Sequence, residues 1–247
     1  MSLVALRLTQ LPDSYRIDVP LVAAAVCPYP PMIVPEIASG AAPELAGLRA
    51  ACDVAIRRIA SSGARSLLVL GSDSSTIDYV SPTRGSFSPW GLPDGDPRTP
   101  LPLSLSVGAW LVNRALGQNH TYRMATVAAD EPADGCVRFG RRLGDDGDPW
   151  ALLVMGDGSA CRGIQAPGYD DPRAKPYDEM VARALATADL DALLGLDPVL
   201  SAELMVAGRA PWQVLAAAAA GGRWRATLEY DDAPYGVAYF VATWERV

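Results

Sequence analysis

The sequence predicts an α/β protein, a single domain with a mainly parallel central sheet flanked by helices and antiparallel edge strands near the C-terminus. Three observations predict it. Short continuous apolar runs, of the kind that strands buried on both faces need, recur at residues 19–27, 66–70 and 151–155. Segments of helical period alternate with them. Two late runs, 225–230 and 237–244, joined by a short Asp-, Pro- and Gly-bearing link, have the character of an antiparallel pair.

Taken in order, residues 1–18 form an N-terminal extension before the strand at 19–27, which ends in a proline-rich turn. Residues 43–62 are expected to be helical. Leu45, Leu48, Cys52, Ala55, Ile56 and Ile59 share one face, Pro43 suits a first turn, and Gly63 suits a stop. The strand at 66–70 leads into Gly71-Ser72-Asp73. Residues 72–103 are rich in Pro, Gly, Ser and Asp and carry Tyr79, Phe87 and Trp90, so they are expected to pack as a long loop over a cleft. A helix at 105–116 closes at Gly117, and a strand follows at 122–128. The polar stretch 130–148 suggests an exposed insertion. The strand at 151–155 ends at Gly156-Asp157-Gly158-Ser159. Helices follow at 177–188 and 198–220, the second broken near Gly208 and Pro211.

The chain has 247 residues, 50% of them apolar and 20% charged, enough to bury a sizeable core in one domain. Its net charge of −7 would repel a phosphate backbone, which argues against nucleic acid as a partner. The longest apolar runs fall well short of the roughly 20 residues of a membrane span, so no membrane partner is expected. No secretory signal is visible, and the four cysteines form no CxxC pair. Both features point to the cytoplasm.

In a parallel sheet, ligands bind beyond the carboxyl ends of the strands. Three loops fall there: 27–31, 71–75 and 156–160. They bring forward Tyr29, Asp73, Ser74, Asp157 and Ser159 as cleft candidates. Tyr29 could cap the cleft with its ring, or donate a proton or hydrogen bond if its hydroxyl points inward. Asp73, Asp157, Glu203 and Glu36 are hard oxygen donors suited to Mg²⁺ or Mn²⁺. Their spacing matches no metal motif, and Asp beside Gly and Ser more often closes turns. Ser159 lacks the glycine two residues before it that a nucleophile elbow needs. His120, the single histidine, would have to come from another loop to complete a triad, and in a polar turn it fits a surface residue better.

One resemblance adds to this reading. It rests on Ala25-Val26-Cys27-Pro28-Tyr29-Pro30-Pro31, Gly71-Ser72-Asp73 and Gly156-Asp157-Gly158-Ser159-Ala160, followed by Ala166-Pro167-Gly168-Tyr169, Gly208-Arg209-Ala210-Pro211-Trp212-Gln213 and Ala233-Pro234-Tyr235-Gly236-Val237. In that order these resemble the subunit-B-like superfamily of class III extradiol dioxygenases, in a branch known mainly from actinobacteria. The resemblance implies a ring-cleaving oxidoreductase fold in which iron(II) is held by two histidines and a carboxylate. It also implies assembly into a homo-oligomer.

The metal ligands do not carry over. Tyr29 stands at the first histidine position, Ser74 where the second is expected, and Ser159-Ala160 where a later one falls. Glu203 matches the carboxylate. One histidine cannot build a two-histidine site. The expectation is therefore a dioxygenase-fold protein without a cofactor that has lost iron-dependent ring cleavage. It would keep a cleft for a small ligand, aromatic or acidic, and serve as a binding or accessory protein or in metal-independent chemistry. Two alternatives stand beside it. One is an active dioxygenase-type oxidoreductase with Tyr29 and carboxylates as atypical ligands. The other is a structural subunit of an oligomer. Whether the protein is an enzyme stays open at this point.

Overall fold

A computed structural model describes residues 21–79, 86–92, 101–118, 120–143 and 148–247. The expected 1–18 extension lies outside the described residues, as do 80–85 and 93–100 of the long loop. Seven strands form one sheet: β1 (Leu21–Cys27), β2 (Ser66–Asp73), β3 (Ile77–Tyr79), β4 (Arg123–Ala128), β5 (Trp150–Met155), β6 (Trp224–Asp232) and β7 (Tyr239–Arg246). Their order is β3-β4-β2-β5-β1-β7-β6. The inner strands β4, β2, β5 and β1 run parallel. Antiparallel strands flank them on both sides, β3 against β4 and the β7–β6 pair against β1. The sheet is thus parallel only at its centre. The antiparallel C-terminal pair was legible in the sequence, whereas β3 lies inside what the sequence presents as loop.

The central strands are apolar throughout because both faces are covered. Every residue of β5 is buried, and its alternate side chains enter two separate cores. On one face pack α2 (Ala46–Ala60) and α3 (Leu103–Leu116), behind a short α1 (Pro35–Ala38). The buried residues of α2 include Leu48, Cys52, Ala55, Ile56 and Ile59, the stripe its period predicts. Residues 39–45 form a tighter 3₁₀ turn, so Pro43 precedes the α-helix instead of opening it.

The other face is covered by α4 (Ala133–Arg142), α5 (Ala174–Thr187), α6 (Leu190–Leu194), α7 (Pro198–Glu203) and α8 (Arg209–Ala218). Here α4 corrects an expectation, since the polar stretch around it was expected to be an exposed insertion. Its apolar content is low, but Gly140 lets it lie directly on α8. A Cβ there would sit 2.4 Å from the Val214 carbonyl oxygen. Pro211 falls in the first turn of α8, where a proline costs no hydrogen bond, and the real break is at residues 204–208. Trp212 and Phe240 meet at 6.1 Å between ring centroids in the core beneath the carboxyl ends of the strands. Among the described residues no helix is long and apolar enough to cross a membrane.

Candidate functional site at the carboxyl ends of the strands

The site begins where β1 and β5 stop. The Gly156 N–H donates to the Cys27 carbonyl at 3.0 Å, which continues the strand pairing by one residue. That step sets Asp157 beside the Pro28-Tyr29-Pro30 turn, and Asp157 Oδ1 accepts the Tyr29 N–H at 2.9 Å. The Asp157 carbonyl accepts the Gly208 N–H at 2.8 Å, tying the same loop to the start of α8. Such crowding requires glycine at 156. A Cβ there would lie 2.7 Å from Gly208 Cα and 3.1 Å from Trp212 Nε1. The indole N–H of Trp212 is itself buried with no hydrogen-bond acceptor among the described residues.

The Tyr29 hydroxyl lies 3.2 Å from Ser72 Oγ at the end of β2. Ser72 Oγ donates to the Ala207 carbonyl at 3.3 Å, which makes Tyr29 the donor to Ser72. Ser72 is in turn anchored by Ser104 of α3, whose hydroxyl donates to the Ser72 carbonyl at 2.9 Å. Tyr239, at the first position of β7, comes close enough to feel the Asp157 charge. Three parallel strand ends and one antiparallel strand start therefore converge on Tyr29, Ser72, Asp157 and Tyr239.

The electrostatics follow from burial without compensation. Asp157 keeps part of its surface accessible, yet it is so closely surrounded that its pKa is pushed up to about 7, against the single opposing effect of the Tyr29 N–H bond. Among the described residues no cation offsets it. Burial, and then the Asp157 charge, push the hydroxyls of Tyr29 and Tyr239 well above the usual tyrosine range. Both tyrosines hold their protons at any physiological pH, while Asp157 exchanges its own near neutrality.

The sequence candidates separate into three groups. Tyr29 and Asp157 are in direct contact, with half-buried Asp73 near enough to raise Tyr29 slightly. Ser74 is exposed just beyond β2, and Glu36 is exposed in the first turn of α1. Glu203 points away to the surface, where Arg173 Nη1 donates to it at 2.6 Å and also clasps Asp171. Ser159 is fully buried and spends its hydroxyl on Asp178 Oδ2 at 2.6 Å, with its N–H on Asp178 Oδ1 at 2.9 Å. Arg162 closes this pair at 3.2 Å. Ser159 is thus a structural anchor for the loop, not a nucleophile.

His120 is far from this chemistry. It lines a cavity of about 290 Å³ at the opposite end of the sheet, with Arg65, Ser66, Leu67 and Ala151 at the amino ends of β2 and β5. A Ser159–His120 dyad is excluded by that placement. Among the described residues no three His, Cys, Asp or Glu side chains gather as a metal centre would need. The donor set does not fit iron(II) either. Asp157 is a lone carboxylate, Tyr29 is bonded to Ser72, Glu203 to Arg173, and no imidazole is near.

Sequence reading missed Ser72, Asp178 and Tyr239. Asp178 carried a usable signal, an acid on the apolar face formed by Tyr177, Val181 and Leu185 of α5. Tyr239 had none, because an aromatic opening a strand looks like ordinary core.

No family model matches the chain, and no curated protein matches it. Among solved structures, the crystal structure of an uncharacterized protein JW3007 from Escherichia coli K12 is similar, with a TM-score of 0.53. The match covers 91% of this chain and 99% of that one at 14% sequence identity. At that identity the likeness shows the fold alone.

Proposed function

We propose that the cleft at the carboxyl ends of β1, β2 and β5 binds a small neutral ligand bearing a hydroxyl group on an aromatic or compact apolar body. The fold is read as that of an extradiol dioxygenase which has lost iron-dependent ring cleavage. The observation that carries the proposal is Asp157, deep-set but still accessible, bonded to Tyr29 and uncompensated by any cation among the described residues. A carboxyl group in that setting accepts a hydrogen bond, or a proton, from a ligand hydroxyl near neutral pH. An acidic ligand fits poorly, since its charge would meet Asp157 with no Arg or Lys paired to that carboxylate among the described residues. The Tyr29 and Tyr239 rings supply apolar walls, and their protonated hydroxyls supply donors. The protein then acts as a binding protein, with Asp157 able to carry out metal-independent proton transfer on what is bound.

Isothermal titration with phenol, catechol and benzoate tests this. The neutral phenols are expected to bind better than the similarly sized benzoate anion. Asp157→Asn should weaken phenol binding about tenfold, the worth of one hydrogen bond to a charged group at about 1.4 kcal/mol. Anaerobic loading with Fe²⁺ followed by catechol should give no oxygen uptake. Iron-dependent turnover that disappears in Glu203→Ala would overturn the proposal in favour of a metal enzyme with atypical ligands.

A further inference from the structure

The strand β6 ends the sheet, and its outer edge pairs with no other strand among the described residues. It is nine residues long. Unpaired N–H and C=O groups over that length invite another strand, and natural proteins usually blunt such edges. Here the edge carries charges and a bulge, but the order of its charges fits a second copy of itself. Residues 223–230 run Arg-Trp-Arg-Ala-Thr-Leu-Glu-Tyr, basic at the start and acidic after the middle. An antiparallel copy of the same strand centred on Thr227 sets Arg225 opposite Glu229 and Ala226 opposite Leu228, and repeats both pairs across the axis. The strand is complementary to itself.

The side chains agree with that register. Ala226 and Leu228 are half-buried on one face, against the core under α5, and Thr227 and Arg225 are exposed. Glu229 lies on the opposite face from Ala226 and Leu228, held by Arg58 of α2 at 2.6 Å and by the Thr243 hydroxyl at 3.3 Å. Both of those bonds use Oε1, and among the described residues Oε2 accepts none. The Arg225 side chain likewise makes no hydrogen bond or ion pair among the described residues. Each copy thus presents an unclaimed guanidinium and an unclaimed carboxylate oxygen, four residues apart. The irregularity between Leu228 and Tyr230 falls at Glu229 itself, so regular pairing covers 225–228 and Glu229 reaches Arg225 through its side chain at the end of that stretch.

We propose that β6 is a self-association edge. Two copies of this chain pair β6 with β6 antiparallel about a two-fold axis at Thr227, with Arg225 of each donating to Glu229 of the other. The closed symmetric contact uses up the edge in both copies and leaves none for a third. Its strand stands three places from β5 in the sheet, so it stands or falls independently of the proposed ligand.

Light scattering across a concentration series, combined with disulfide trapping, tests the contact. The wild-type protein is expected to have twice the 26.1 kDa chain mass at micromolar concentration. Arg225→Glu, which sets like charges together twice, should shift the dimer midpoint at least tenfold upward while its circular dichroism melt stays that of a folded chain. Thr227→Cys should give a covalent dimer under mild oxidation, because residues facing each other across an antiparallel pair are about 4.5–5.5 Å apart at Cα, within disulfide reach. The four native cysteines are buried and should not contribute. Arg223→Cys, displaced four residues from the axis, should give none. A monomer throughout, a dimer indifferent to Arg225→Glu, or Arg223→Cys trapping as well as Thr227→Cys would each overturn the proposal.

Discussion

At the amino ends of β2 and β5 the sheet opens onto a cavity of about 290 Å³ rimmed by Arg65 and His120, both exposed. At the carboxyl ends of β1, β2 and β5, polar groups are instead packed against one another, with Tyr29, Ser72, Asp157 and Tyr239 within a few residues of three strand ends. That cavity and this chemistry lie at opposite ends of the sheet. The Arg65–Asp148 pair beside the cavity is 3.6 Å apart with both side chains more than half exposed, so it is worth about 0–1 kcal/mol. Asp157 shares its surroundings with backbone and tyrosines, and the same kind of group acquires a pKa near 7. Burial without a counter-ion, not the presence of a cavity, is what changes the chemistry of a side chain here.

The largest effect is expected from Asp178→Ala, which strips two hydrogen bonds from buried Ser159 and the partner from Arg162. Leaving the buried Ser159 N–H and hydroxyl unpaired costs roughly 1–3 kcal/mol each, to be read as a fall in the urea midpoint. If the variant is as stable as the wild type, the Gly158–Ala160 loop is held by something other than this triad, and the carboxyl end is less constrained than described.

Asp157→Asn should do the opposite. The folded pKa of Asp157, about 7, is raised above its ordinary 3.8, so the fold favours the protonated form. The wild type therefore carries no penalty below about pH 4, loses stability as pH rises from about 4 to 7, and bears the full cost above that. Asparagine never ionises, and it can still accept the Tyr29 N–H. The two proteins should be about equally stable at pH 4, and the variant should be more stable by roughly 2–4 kcal/mol at pH 8, the worth of two to three pKa units. Denaturation curves at both pH values check the sign as well as the size. A stabilising change at the candidate site is the mark of a group kept for function at the fold's expense.

The smallest effect is expected at the other end. His120→Ala, at an exposed position, should alter stability by no more than about 0.5 kcal/mol and leave phenol binding unchanged. Altered phenol affinity in that variant would move the ligand to the amino-end cavity and reverse the comparison.

How much of this was legible in the sequence follows the same physics. Continuous apolar runs revealed β1, β2 and β5, because strands covered on both faces have no polar side to show. The loop positions followed from strand ends, which is how Tyr29 and Asp157 came forward. What escaped were features set by tertiary contact. The helix α4 depends on Gly140 meeting α8, not on an apolar stripe of its own. The strand β3 is three residues long and borrows its pairing from β4. The role expected of Glu203 failed because Arg173, thirty residues earlier, claims its carboxylate. No local pattern announces a partner at that distance.

Asp157 is a carboxyl group with no cation beside it among the described residues, poised near neutrality between protonated tyrosines. Carbon-13 NMR of the aspartate carboxyl groups, with the Asp157 signal assigned by its loss in Asp157→Asn, measures it directly. A titration midpoint near pH 7 is expected. A midpoint near the ordinary value of 3.8 would contradict it, and would leave the carboxyl end of the sheet as no more than a well-packed turn.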